Sequence, residues 1–153
     1  MSFLIKWCII KKIEKWGRFV FRLGEKMDRQ KANNLSPVVL AFVGDAVYSL
    51  FVREKLTFSS DFKCGELNKL ATSEVKATAQ AEFANEIMPL LNDAELAVFK
   101  RARNAKKANK AKHATVAEYN TSTGLEAVLG YLYLIGDVDR LNYILNKGEI
   151  NES

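Results

Sequence analysis

The sequence predicts an all-α domain, and three observations carry that prediction. Apolar residues recur at helical spacing where the chain is amphipathic, no stretch alternates with the two-residue period of a strand, and cap residues precede the helical runs. With 153 residues, 48% hydrophobic and 27% charged, the chain has the length of one domain whose core needs no disulfide or metal staple. It contains no internal repeat and no low-complexity tract.

The first segment in order is FLIKWCIIKKIEKWGRFVF. Lys6, Lys11, Lys12 and Lys15 break its apolar runs well short of the roughly 20 residues that span a bilayer. No small-residue cleavage site follows, so it is also a poor signal peptide. One reading is a basic amphipathic helix at a membrane surface. The competing reading takes Met27 as the true start, because Gly24-Glu25-Lys26 can be encoded GGA-GAA-AAA, a purine-rich sequence suited to ribosome binding. Residues 1–30 are therefore set apart as a basic extension and residues 31–150 as the globular domain, and membrane contact by residues 1–26 is not the favoured expectation.

The charge follows the same division. Of the net +5, all is accounted for by residues 1–26, with seven basic and two acidic side chains, and the remainder balances 16 against 16. The globular part is not basic as a whole.

Asn33-Asn34-Leu35-Ser36-Pro37 opens the first long helix, with Ser36 as N-cap and Pro37 at the first helical position, running to about Leu56. Its apolar residues cover every face, the pattern of a helix buried in the middle of a domain. From Cys64 to Met88, Leu67, Leu70, Val75, Ala79 and Phe83 recur at roughly helical spacing and predict one or two amphipathic helices, ended or bent by Pro89. Asn92 or Asp93 caps a helix through AELAVFKRAR, followed by an exposed basic segment, KRARNAKKANKAK, with seven cations and no acid. A long helix beginning near Thr115 or after Tyr119 continues through GLEAVLGYLYLIG, where Tyr131 and Tyr133 read as packing residues. A short one follows, with Asp137 as N-cap and Gly148 past its end.

Some chemistries are poorly supported from the outset. Cys8 and Cys64 have no CxxC partner, and His113 is the single histidine. This fits a reducing compartment, a cytoplasmic location, and neither a zinc site nor a Ser-His-Asp arrangement.

Two acids stand out. Asp45 is the only residue charged at neutral pH in the sixteen from Pro37 to Val52, and Glu126 is the only one in the sixteen from Thr121 to Gly136. A lone acid in an apolar helix often serves as a cap or a core hydrogen-bonding group. Two such helices packed together would instead aim two carboxylates at one place, where like charges conflict unless a cation joins them. Hard oxygen ligands suit Mg2+, with Mn2+ as a substitute, and a carboxylate-held magnesium activates water against a phosphodiester. The basic segment 100–112 would then hold phosphates, although basic loops are also commonly just solvated.

The string VGDAVYSLFVREKL, Val43 to Leu56, resembles the signature helix of the ribonuclease III superfamily. LEAVLGYLYL, Leu125 to Leu134, resembles that family's second motif, and KRARNAK, Lys100 to Lys106, is similar to the Arg-Gly-Arg-Asn-Ala-Lys loop of its Mini-ribonuclease III branch, with Ala102 in place of the glycine. The likeness covers about Leu35 to Leu145. Larger members carry a Glu four residues before the signature Asp, an Asp three residues before the second-motif Glu, and an appended double-stranded-RNA-binding domain. Here those two positions are Ala41 and Thr123, and the chain ends at Ser153, which fits the branch.

The resemblance implies a ribonuclease III endonuclease-domain-like helical bundle. It implies a homodimer that cuts both strands of double-stranded RNA with magnesium, leaving 5′-phosphates and short 3′ overhangs. The expected substrate is the stem joining the ends of the large-subunit ribosomal RNA precursor, with ribosomal-protein assistance left open. Asp45 and Glu126 carry over as the catalytic metal-binding pair, and Arg101, Arg103, Asn104, Lys106 and Lys107 as candidate RNA contacts. The alternative is a non-catalytic helical RNA-binding or ribosome-assembly module.

Overall fold

The computed structural model describes residues 25–59, 61–105 and 113–149. The expected extension up to residue 24, and Lys106 and Lys107 of the basic segment, lie outside the described residues. Among the described residues seven α-helices follow in order: α1 (Arg29–Asn33), α2 (Pro37–Ser59), α3 (Cys64–Glu74), α4 (Ala77–Ile87), α5 (Asp93–Arg103), α6 (Val116–Leu134) and α7 (Val138–Leu145), with a 3-10 turn at Met88–Leu90. There is no strand among the described residues.

Most boundaries have a visible chemical cause. Pro37 takes the first position of α2 behind Ser36, whose carbonyl accepts from the amides of Val39 and Leu40. At the other end α2 outruns the expected stop at Leu56, and the hydroxyls of Thr57 and Ser59 donate back to the carbonyls of Arg53 and Lys55. The segment 64–88 is two helices, broken at Val75 and Lys76, and Pro89 lies in the 3-10 turn. Asn92 caps α5 through a reciprocal pair with Glu95, and Thr115 caps α6 through a reciprocal pair with Glu118. Helix α1 is too short for an apolar period to reveal it. Its signal is Asp28, whose carboxylate accepts from the amides of Gln30 and Lys31.

Helix α6 is the central element, packed against α2, α4 and α5. Ten of its residues between Ser122 and Leu132 are buried, as an all-round apolar pattern predicts. Leu125, Val128, Leu129 and Leu132 meet a core completed by Leu40 and Tyr48 of α2, Ile87 of α4, Phe99 of α5 and Ile144 of α7. Tyr131 belongs to this core, but Tyr133, expected to pack, is exposed.

The expectation for α2 needs correction. Only Leu40, Ala41, Gly44, Tyr48 and Val52 are buried, a single stripe at helical spacing. Val38, Val39, Phe42 and Leu50 are exposed, Phe42 at 80%. The helix is apolar all round without being covered all round, so periodicity alone read an open face as core.

One buried ion pair joins α5 to α7. Glu95 is 2% exposed, and its carboxylate accepts from Arg140 Nε at 2.7 Å, Arg140 Nη2 at 2.8 Å and the Asn92 amide at 2.9 Å. Arg140 also donates to the Leu90 carbonyl and lies over the Tyr143 ring. The hydrogen bonds that the guanidinium donates to Glu95 hold its pKa above its ordinary value. Removing one member of such a pair strands the other. Glu95→Ala should therefore cost roughly 3–5 kcal/mol of stability, measured by urea unfolding at fixed protein concentration; a loss below about 1 kcal/mol would refute the role of the pair.

Candidate active site

Glycines set the crossing of the two helices that carry Asp45 and Glu126. Helices α2 and α6 cross so closely that a Cβ on Gly44 would lie 1.6 Å from the carbonyl oxygen of Glu126 and 2.9 Å from the amide nitrogen of Gly130. A Cβ on Gly130 would lie 2.0 Å from the carbonyl oxygen of Leu40. The two backbones are therefore in contact, which only residues without side chains permit. Asp45 directly follows Gly44 on one helix, and Glu126 contributes its own carbonyl to the contact on the other. The crossing places the backbone of Gly44, the residue before Asp45, against the backbone of Glu126.

Their surroundings are not those expected from a core. Asp45 is exposed and Glu126 is half-buried. No hydrogen bond or salt bridge engages the Asp45 side chain among the described residues. Water solvates this carboxylate, so it needs no internal cation. Ala41 and Thr123, where larger relatives carry further acids, are both buried, and the Thr123 hydroxyl donates to the Tyr119 carbonyl. Neither position adds a ligand.

The donor set fits a hard divalent cation that keeps much of its water. Asp45 and Glu126 are the carboxylates that would supply oxygen ligands, and no group of three or more His, Cys, Asp or Glu side chains among the described residues could form a protein cage. Magnesium is commonly held by one or two carboxylates plus waters and substrate phosphates.

The basic segment begins inside α5. Lys100, Arg101 and Arg103 form its last turn, where cations also complement the negative end of the helix dipole. Ala102, the residue that replaces the branch glycine, lies in this helix and is fully buried, so its methyl group is a packing element. Asn104 is the C-cap, and its side-chain oxygen accepts from Arg103 Nε at 3.4 Å. Arg101 Nη1 donates to the carbonyl of Asn33 at 2.8 Å. At the start of α6, the Thr115 amide and hydroxyl donate to Glu118, holding its carboxyl below the usual range.

A separate cleft of about 340 Å³ lies among Tyr48, Phe51, Leu56, Phe83, Leu145 and Lys147. Burial, with Glu74 and Glu86 adding to it, pushes the Tyr48 phenol up to about 12. Neither acid of the pair nor any cation of the basic segment lines this cleft.

Comparison with known proteins agrees with the motifs. The model of the Ribonuclease III domain matches residues 38–137. A Mini-ribonuclease 3 of Clostridium tetani is 42% identical over 124 residues, covering 80% of this chain and 82% of the relative. One of Symbiobacterium thermophilum is 45% identical over 72% of this chain and 85% of the relative, and one of Enterococcus faecalis 37% identical over 77% and 95%. A crystal structure of a Fusobacterium nucleatum protein superposes with a TM-score of 0.66 at 31% identity, covering 74% of this chain and 90% of that one. Among the described residues, no helix is long and apolar enough to cross a membrane.

Proposed function

We propose, from the premise that this chain belongs to the ribonuclease III family and its Mini-ribonuclease 3 branch, that it matures the large-subunit ribosomal RNA precursor. The chain is a ribonuclease III-type endonuclease acting on double-stranded RNA. Its target on this reading is the terminal stem of the precursor, cut on both strands in the cytoplasm, with Asp45 and Glu126 as catalytic residues. The observation that supports the reading is the glycine crossing, where the backbone beside Asp45 on α2 meets that of Glu126 on α6.

Asp45 and Glu126 would hold Mg2+, directly or through water. When bound, the ion supplies acidification of an attacking water and neutralisation of charge on the departing 3′ oxygen. The protein's own part is to present two anionic oxygens from helices whose separation is fixed by backbone contact. Arg103, Asn104, Lys106 and Lys107 would grip phosphates and position the duplex, reading A-form shape more than sequence.

Two active centres are needed to cut two strands, and the open stripe of α2 supports a homodimer. Val38, Val39, Phe42 and Leu50 are exposed apolar residues on the helix that carries Asp45. An uncovered apolar face of this kind marks an interaction surface.

The test is incubation with a paired ribosomal precursor stem, with Mg2+, with Mn2+ and with EDTA. Both strands should be cut in the first two and neither in the third, leaving 5′-phosphate ends. RNA that is bound but left intact under all three conditions would favour the non-catalytic module.

A further inference from the structure

Arg101 and Arg103 share the last turn of α5 but cannot serve the same surface. Residues two apart on a helix point about 200° from each other. Arg103 makes only a 3.4 Å contact with its neighbour Asn104, whereas Arg101 reaches 68 residues back along the chain to the Asn33 carbonyl at 2.8 Å. Asn33 is the last residue of α1, and carbonyls at a helix end lack intrahelical donors and accept well from arginine. Beside each partner is a fully buried alanine, Ala32 and Ala102, so both ends of the contact are anchored in the core.

We propose that Arg101 is a positioning residue: it fixes the base of the basic loop to the segment that launches α2, instead of contacting RNA phosphate. Three residues, Asn34 to Ser36, separate the accepted carbonyl from α2. Asp45 then lies about 12 Å up the helix at 1.5 Å per residue. The C-terminal end of α5 and the helix that carries Asp45 thus share one fixed joint.

This proposal rests on the reading of the loop as an RNA-binding element, and its test separates the two. RNA binding to Arg101→Ala and Arg103→Ala proteins is measured in EDTA across a salt series, with single-turnover cleavage in Mg2+ and hydrogen exchange over residues 28–36. Arg103→Ala should reduce the slope of log affinity against log salt by about one, as loss of a phosphate contact does. Arg101→Ala should keep the wild-type slope, lose cleavage rate by roughly tenfold through misplacement, and exchange faster over residues 28–36. Arg101→Lys, which retains one donor, should fall between alanine and wild type in exchange. A slope reduced by about one in Arg101→Ala, or unchanged exchange over residues 28–36, overturns the positioning role. An unchanged slope in Arg103→Ala would instead count against the loop as an RNA-binding element, while exchange would still decide the role of Arg101.

Discussion

Asp45→Asn is expected to lower the single-turnover rate of double-stranded RNA cleavage by at least about 10³-fold, equivalent to roughly 4 kcal/mol of transition-state stabilisation. The amide keeps the shape of the side chain but loses the anionic oxygen that would hold the cation. Asp45 is exposed and no ion pair engages it among the described residues, so stability should change by less than about 0.5 kcal/mol. RNA affinity in EDTA should hold or rise slightly, because a negative charge near phosphates has been removed. Glu126→Gln should lose cleavage to a similar extent. Cleavage by either variant within about tenfold of wild type, at matched RNA occupancy, would falsify the catalytic assignment.

The second large effect is steric. Gly44→Ala would place a methyl carbon 1.6 Å from the Glu126 carbonyl oxygen, and Gly130→Ala would place one 2.0 Å from that of Leu40. Neither obstacle is a side chain that can rotate away, so the helices must part. Each change should cost about 4 kcal/mol or more, lowering the melting temperature by on the order of 10–20 °C. Gly124→Ala meets the Phe99 ring at 2.7 Å, and a ring can shift, so roughly 1–3 kcal/mol is expected. Gly65→Ala meets nothing within 4 Å and should stabilise α3 by about 0.5–1 kcal/mol. Thermal unfolding of the four variants tests that order. A Gly44→Ala protein as stable as Gly65→Ala would mean that α2 and α6 do not touch.

The all-helical fold, both long helices, the cap Asp137 and Asn92 as one of two cap candidates were legible because apolar period and capping chemistry are local. Helix α1 was not, since five residues are too few for a period. The most instructive failure is α2. Hydrophobicity reports which surfaces avoid water and not which molecule covers them, so Phe42 looked like core and Asp45 looked stranded. Asp45 and Glu126 stood out in the sequence because each was a lone charge in an apolar run. The close crossing of their helices was not legible, because a glycine in a helix gives no sign of what passes beside it. The Glu95–Arg140 pair was also missed: 45 residues separate its members, and each occurs among other charges where nothing marks it as buried.

The open stripe on α2 has a consequence for how activity depends on dilution. Phe42 stands three residues before Asp45, so whatever covers the stripe also forms a wall beside the acid. Burying a side chain such as Phe42 contributes about 1.5–3 kcal/mol, while association costs an estimated 4–15 kcal/mol in lost freedom. Four such residues contribute about 6–12 kcal/mol, close to that cost, so occupancy of that wall is governed by mass action. Turnover per chain becomes a property of the solution as well as of the molecule, rising with protein concentration until the stripe is saturated.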